Sequence, residues 1–275
     1  MTAGGKPTRL DRVRERVGAS ELDQSVRDAA ELDLAWTRTA PFAALRSSML
    51  RWVLGPLMDL YTSREIHGTR NIDTLDGPVV FVANHCSHLD TPAILRALPG
   101  RWRRRTAVVA ATDYFYACRR DAILTSLAFG TVPIHRHGRG LGAAAHLDRL
   151  IRSRRSLLVF AEGTRSHDGN VARLRSGAAV LASQYEIPIV PIFVSGTSDA
   201  MPRGSRWMAH KHGARGSRRH AIEIRFGAPI SARQGEHCSE MMERVRLFLA
   251  ESGAATEPGR APAAGSLERA HRGPV

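Results

Sequence analysis

The chain has 275 residues, 43% hydrophobic and 24% charged, an ordinary globular usage that excludes wholesale disorder and collagen-like repeats. Its formal net charge is +14, and the whole excess lies between residues 41 and 250, where 30 basic side chains stand against 16 acidic ones. A folded body this basic expects negatively charged partners: a polyanion, phosphorylated molecules or an anionic membrane surface.

Residues 1–40 read as a polar, partly disordered extension, with helical character over 21–36 but no strong apolar face. Over 41–65 an amphipathic helix is expected. Leu45, Met49, Trp52, Val53, Leu57 and Leu60 recur at three- and four-residue steps, Arg46 and Arg51 flank them, and Gly55-Pro56 should kink the helix. Two roles are open to this stripe: packing on the core, or lying in a membrane interface with Trp and Leu in lipid and Arg toward phosphates. Between about 66 and 250, short β-branched runs alternate with helical stretches. Strands are predicted at 78–83, 106–110, 131–134, 157–161, 187–194 and 221–226, and helices near 91–98, 119–128, 140–154, 174–185 and 237–250. The alternation predicts a single α/β domain with a mainly parallel or mixed sheet flanked by helices, preceded by the N-terminal helical region. Residues 203–220 carry Arg203, Arg206, Lys211, Arg215, Arg218 and Arg219 with no acid, a basic and mobile loop by composition. Residues 251–275 read as a disordered tail.

Cys86, Cys118 and Cys238 are too scattered for a disulfide framework and read as reduced thiols in the cytoplasm. The first residues lack the apolar core of a secretory signal. The longest stretch free of charge, 122–135, has 14 residues, short of the roughly 20 a spanning helix needs.

Four segments carry candidate chemistry. Asn84-His85-Cys86-Ser87-His88-Leu89-Asp90 follows a predicted buried strand. A histidine is the natural base near neutral pH, and a carboxylate beside it fixes its tautomer and supports the imidazolium. On a continuous helix His85 and Asp90 would stand about 140° apart, so the pair requires His85 in the loop with Asp90 reaching back. Pro92 supports a helix starting there. Two other readings stay open at this point: Ser87 and Asp90 as a capping box, and His85, His88 and Asp90 as metal ligands. Phe160-Ala161-Glu162-Gly163-Thr164-Arg165-Ser166 also ends a strand, and combines a glycine for close approach, hydroxyls and a guanidinium suited to phosphate. Arg173 and Arg175 precede a helix start that also favours anions. The run Ser166-His167-Asp168 is no triad, because adjacent side chains diverge. Gly130-Thr131-Val132-Pro133-Ile134-His135-Arg136 delivers a basic residue at a strand end, and Ile189-Val190-Pro191-Ile192-Phe193 reads as core. A rival of another class is a loose dinucleotide fingerprint over Gly138, Gly140 and Ala143, with Glu162 as its later acid.

Taken together and in this order, the four segments resemble the blocks of the glycerolipid acyltransferases of lysophosphatidic acid acyltransferase type. Asn84–Asp90 is similar to that family's NHxSxxD block and 160–166 to its FPEGTRS block, with Ala161 where proline is usual. The resemblance covers roughly residues 66–230 and makes 66–250 the acyltransferase domain. It implies an O-acyltransferase moving a fatty acyl group from an acyl thioester, acyl-CoA or acyl carrier protein, to a lysophospholipid hydroxyl. The acceptor it favours is 1-acylglycerol-3-phosphate, with another lysolipid or hydroxylated lipid as the alternative. His85 would be the base and Asp90 its support. Arg136, Glu162, Gly163, Thr164, Arg165, Ser166 and Arg175 would hold the acceptor's glycerol phosphate. No cofactor or metal is implied, and Cys86 is a bystander. The expected partners are an acyl donor and an anionic membrane surface, met peripherally from the cytoplasm. Nucleic acid is not expected, since only 6% of residues are aromatic and no aromatic-rich basic motif occurs.

Overall fold

A computed structural model describes residues 32–111, 119–134, 141–163, 174–205, 207–211 and 218–254. Among these residues seven strands join one sheet: β1 (Thr62–His67), β2 (Val80–Ala83), β3 (Thr106–Ala111), β4 (Thr131–Ile134), β5 (Ser156–Phe160), β6 (Ile189–Ser195) and β7 (His220–Phe226). Their spatial order is β1-β7-β6-β2-β5-β3-β4. All neighbouring pairs are parallel except β6 and β7, so the sheet is mixed.

The short apolar runs follow from burial on both faces. Every residue of β2 is buried, and alternate side chains leave on opposite sides. Phe81 and Ala83 pack with Ile94, Leu95 and Leu98 of the segment after β2, which forms α3 (Asp90–Ala97) and α4 (Gly100–Arg105). Val80 and Val82 pack with Ala178, Ala179 and Ala182 of α7 (Gly177–Gln184) and with Val245 and Leu249 of α9 (Cys238–Glu251). The alanines let α7 lie close to the sheet. Between these, α5 (Arg119–Phe129) links β3 to β4, α6 (Leu141–Arg152) links β4 to β5, and the short α8 (Thr197–Ala200) follows β6. The predicted α/β domain with flanking helices is thus the observed architecture.

Two elements differ from the sequence reading. Strand β1 was not expected. It is an edge strand paired only with β7, buried at Thr62 and exposed from Glu65 onward, so it lacks a strand's apolar signature. The sheet therefore begins at Thr62, inside the 41–65 segment assigned to the helix. Helix α4 reads as a basic run, yet Trp102 is buried, meets Phe81 edge-on at 5.7 Å and donates its indole N–H to the Ile72 carbonyl at 3.2 Å.

The N-terminal helical region is α1 (Ala40–Met49), a π-helical turn at Leu50–Leu54, and α2 (Gly55–Tyr61). Pro56 stands in the first turn of α2, where its missing N–H is tolerated, and the π register absorbs the interruption. The apolar stripe does not pack on the core. Leu45, Trp52, Val53 and Leu60 are 62% to 70% exposed, while the inward face is Ala43, Arg46, Leu50 and Met58. The reason is a polar one. Arg46 is drawn inside because its guanidinium donates to the Thr37 carbonyl at 3.1 Å and to the Leu127 carbonyl near the C-terminus of α5. On α2, Asp59 takes Arg96 of α3 through both carboxylate oxygens, and Gly55 leaves the room, since a Cβ there would come within 2.7 Å of Arg96 Nε.

The end of the expected extension is packed as well: Thr37 and Arg38 are buried, and Arg38 pairs with Asp33 at 2.6 Å. Residues 1–31 and 255–275 lie outside the described residues. In the basic 203–220 segment, Met208 is buried and His210 stacks on Tyr61 at 4.6 Å, so this part packs on the body; Arg206 and 212–217 lie outside the description.

Candidate active site

The site forms where β2 ends in the middle of the sheet. The chain leaves β2 at Ala83, and Asn84 fastens the exit to β6: its Nδ2 donates to the Val194 carbonyl at 2.8 Å and its Oδ1 accepts the Val194 N–H at 2.9 Å. His85 lies in the loop and Asp90 opens α3, so the carboxylate reaches back as the spacing required. Asp90 Oδ2 meets His85 Nδ1 at 2.8 Å. The same oxygen accepts the backbone N–H of Cys86 at 2.7 Å and of Ser87 at 2.8 Å. One carboxylate oxygen thus holds both the imidazole and the backbone of the β2 loop, while Leu89 occupies the N-cap of α3 with no side-chain cap. Asp90 is fully buried, and His85 keeps 14% of its side chain open to solvent.

An ionised carboxylate only accepts, so a hydrogen bond to it requires a proton on Nδ1, and in the neutral ring that tautomer leaves the lone pair on Nε2. The ring is stacked on Phe160 at 4.1 Å with 24° between planes. Glu162, after β5, is 5% exposed and its Oε1 accepts the His85 backbone N–H at 2.9 Å. The sequence reading gave Glu162 to the acceptor's glycerol phosphate. In the structure one of its carboxylate oxygens accepts the His85 backbone N–H, which ties the β2 loop to the end of β5. The same bond engages the acid of the dinucleotide fingerprint, whose Gly138 and Gly140 lie outside the described residues.

Gly163 has φ +73°, and a Cβ there would approach Arg175 Nε to 2.9 Å. The N–H of Arg175 donates to the Ala161 carbonyl at 2.9 Å, which brings Arg175 beside Gly163. Thr164, Arg165, Ser166 and Arg136, also assigned to the acceptor, lie outside the described residues. Among the described residues no group of three His, Cys, Asp or Glu side chains is arranged to hold a metal ion.

His85 borders a cavity of about 320 Å³. Its lining is apolar and comes from many elements, among them Leu54, Leu89, Val108, Phe129, Met201 and Trp207. A base with a free lone pair at the edge of an oily cavity, beside a loop that carries arginine, can activate a hydroxyl against a long-chain electrophile. Sequence reasoning missed Thr197. Its Oγ1 donates to Asp90 Oδ1, and no motif joins the two residues, which are 107 positions apart.

A family profile described as Acyltransferase matches residues 63–195, a stretch holding the β2 loop, Glu162, Gly163 and Arg175. The 1-acyl-sn-glycerol-3-phosphate acyltransferase BAT2 of Brassica napus is 29% identical over 194 residues, covering 68% of this chain and 50% of that protein. The human 1-acyl-sn-glycerol-3-phosphate acyltransferase alpha is 32% identical over 155 residues, covering 55% and 52%. The chain spans about half the length of these curated relatives. The crystal structure of the 1-acyl-sn-glycerophosphate acyltransferase PlsC from Thermotoga maritima matches with a TM-score of 0.53 at 19% identity, covering 86% of this chain and 97% of that one, a likeness of fold. With the sequence blocks in order and the His85–Asp90 contact formed, residues 63–195 match the acyltransferase family profile, and the relatives the chain resembles are 1-acyl-sn-glycerol-3-phosphate acyltransferases.

Proposed function

We propose that the protein is an O-acyltransferase that transfers a fatty acyl group from an acyl thioester to the free hydroxyl of 1-acylglycerol-3-phosphate, giving phosphatidic acid and a thiol. The observation that carries this reading is the 2.8 Å contact between His85 Nδ1 and a fully buried Asp90 at the edge of an apolar cavity. His85 Nε2 takes the proton from the acceptor hydroxyl as its oxygen attacks the thioester carbonyl. The tetrahedral intermediate collapses with cleavage of the C–S bond, and the imidazolium returns its proton to the departing thiolate. Asp90 stabilises the imidazolium in between. No enzyme nucleophile is required, and Cys86 has no part in the step. The acyl chain enters the apolar cavity. Arg175, with Gly163 and with Thr164, Arg165, Ser166 and Arg136, supplies the anion-binding side for the glycerol phosphate. The relatives' names support the acceptor. Acyl-CoA and acyl carrier protein are both thioesters and satisfy the same chemistry.

Membrane attachment is part of the proposal. Among the described residues no helix is long and apolar enough to cross a membrane. The outward face of α1 and α2 presents Leu45, Trp52, Val53 and Leu60, with the Arg51 guanidinium 5.1 Å from the Trp52 ring. Apolar side chains beside arginine on a basic body fit a peripheral hold on anionic lipid. The free thiols of Cys86 and Cys238 support the cytoplasmic side. The deciding experiment measures thiol release over a matrix of acyl-CoAs, acyl carrier protein thioesters and lysolipids, with His85→Ala as blank. Turnover restricted to 1-acylglycerol-3-phosphate supports the reading. Turnover restricted to another hydroxylated lipid moves the acceptor, and none with any pair removes the function.

A further inference from the structure

We infer that Thr197 is a positioning residue for the His85–Asp90 pair, fixing the rotation of the Asp90 carboxylate so that Oδ2 faces the imidazole. The inference rests on reading His85 as the base, and extends it to a residue outside every recognised block.

The argument starts from how the donors are divided. Asp90 Oδ2 receives His85 Nδ1 at 2.8 Å, the Cys86 N–H at 2.7 Å and the Ser87 N–H at 2.8 Å. Oδ1 receives the hydroxyl of Thr197. The torsion that turns an aspartate carboxylate is broad. A carboxylate held through one oxygen can pivot on it, and a donor on the second oxygen removes that freedom. Thr197 and Asp90 are both fully buried, so no bulk water takes over if the hydroxyl is lost.

The element carrying Thr197 is held in place independently of that bond. Gly196 turns with φ +76°, and a Cβ there would stand 1.9 Å from the Ala221 carbonyl oxygen, so the backbone is pressed against β7. One residue pair earlier, Asn84 exchanges two hydrogen bonds with Val194. At the far end of α8, the Met201 carbonyl accepts the Ser87 hydroxyl at 2.7 Å. Helix α8 is thus bracketed against the β2 loop at both ends, with Thr197 directed at the carboxylate. Glu162 holds the His85 backbone from the opposite neighbour, β5. The base and its carboxylate are each fixed by the strand on one side of β2.

Thr197→Val keeps shape and volume while deleting the donor, and Thr197→Ser keeps the donor while deleting a methyl group. Both are compared with wild type by NMR titration of His85 in the substrate-free protein, by kcat and KM for thioester and acceptor, and by thermal unfolding. In Thr197→Val, kcat falls about tenfold with both KM values within about twofold, the scale of one lost hydrogen bond to a charged group. The His85 titration midpoint falls as the carboxylate turns from the ring, and Thr197→Ser restores both. Unchanged kcat and midpoint in Thr197→Val overturn the inference, as does a Thr197→Ser variant impaired as much as Thr197→Val, which would assign the position to packing. If Thr197→Val does not fold, Thr197→Ser alone decides: a wild-type midpoint and kcat sustain the role, and a lowered midpoint refutes it. The titration needs no substrate. A protein inactive on 1-acylglycerol-3-phosphate whose His85 midpoint still falls in Thr197→Val and recovers in Thr197→Ser sinks the acceptor reading and leaves the positioning role standing.

Discussion

His85 owes its orientation to four contacts from three parts of the chain: Asp90 on Nδ1, Glu162 on its backbone N–H, Phe160 on its ring face, and Asn84 tying the residue before it to β6. His85→Ala removes the imidazole together with its stacking on Phe160 and its contact to Asp90, and thiol release falls by about 10³-fold or more. Asp90→Asn keeps the shape but cannot support an imidazolium, and lowers kcat by roughly 10²–10⁴-fold with little change in KM. Equal activity of Asp90→Asn and wild type would remove the proposed step. Gly163→Ala forces a left-handed backbone on a residue with a Cβ and drives that Cβ into Arg175. Its effect falls on the acceptor side, as a raised KM for lysophospholipid with kcat/KM for hydrolysis of the thioester by water unchanged. At this scale the His85–Asp90 contact was legible, because a five-residue interval excludes a helix and demands a reach-back. The contacts of Thr197 with Asp90 and of Glu162 with the His85 backbone were not. Both follow from which strands flank β2, and strand order is not written in local spacing.

Among the elements, the α1–α2 region shows how far periodicity goes. The three- and four-residue steps correctly announced a helix, but not which side would face inward. Both sides of that helix carry apolar residues, and the choice was made by Arg46, whose donors meet carbonyls at the end of α5. Burial, with Arg155 and Arg38 nearby, lowers the Arg46 guanidinium to about 10. A base whose folded-state value is lowered costs stability while both states are charged, and the cost is relieved as pH rises above that value toward the unfolded one near 12.5. Arg46→Met is therefore most favourable relative to wild type near pH 8, and its advantage shrinks by about 1 kcal/mol by pH 11, read from denaturant unfolding at the two pH values. A difference independent of pH would show that Arg46 is not desolvated in solution. Arg38→Ala behaves oppositely: it removes the ion pair with Asp33 and the donor to the Thr131 carbonyl and destabilises by about 3 kcal/mol. Strand β1 and helix α4 escaped sequence reading for a related reason. Each is a polar element with little buried, Thr62 in β1 and Trp102 with Arg103 in α4, rather than a repeated apolar pattern.

For the whole molecule, charge and exposed apolar surface act together. If the outward face of α1 and α2 is the lipid-facing side, Trp52→Ala with Val53→Asp reduces binding to phosphatidylglycerol vesicles about tenfold or more while activity on monomeric, short-chain substrate stays at the wild-type level. Raising salt weakens vesicle binding of the wild type, because the net +14 contributes through screened attraction. Vesicle binding insensitive to both changes would place the attachment elsewhere. The α/β class was legible from the alternation of runs. The antiparallel pairing of β7 with β6, which makes the sheet mixed, was not, since strand direction is not written in a local apolar run.

The spatial order of the sheet also constrains when the enzyme can come into being. The two neighbours of β2 are β5 and β6, which the ribosome delivers some 75 to 110 residues after His85. A nascent chain that has exposed the histidine, the carboxylate and the whole first half of the sheet still holds neither Glu162 nor Val194. Chains arrested before β6 should accordingly lack the Val194 tie of the β2 loop, and those arrested before β5 the Glu162 tie as well.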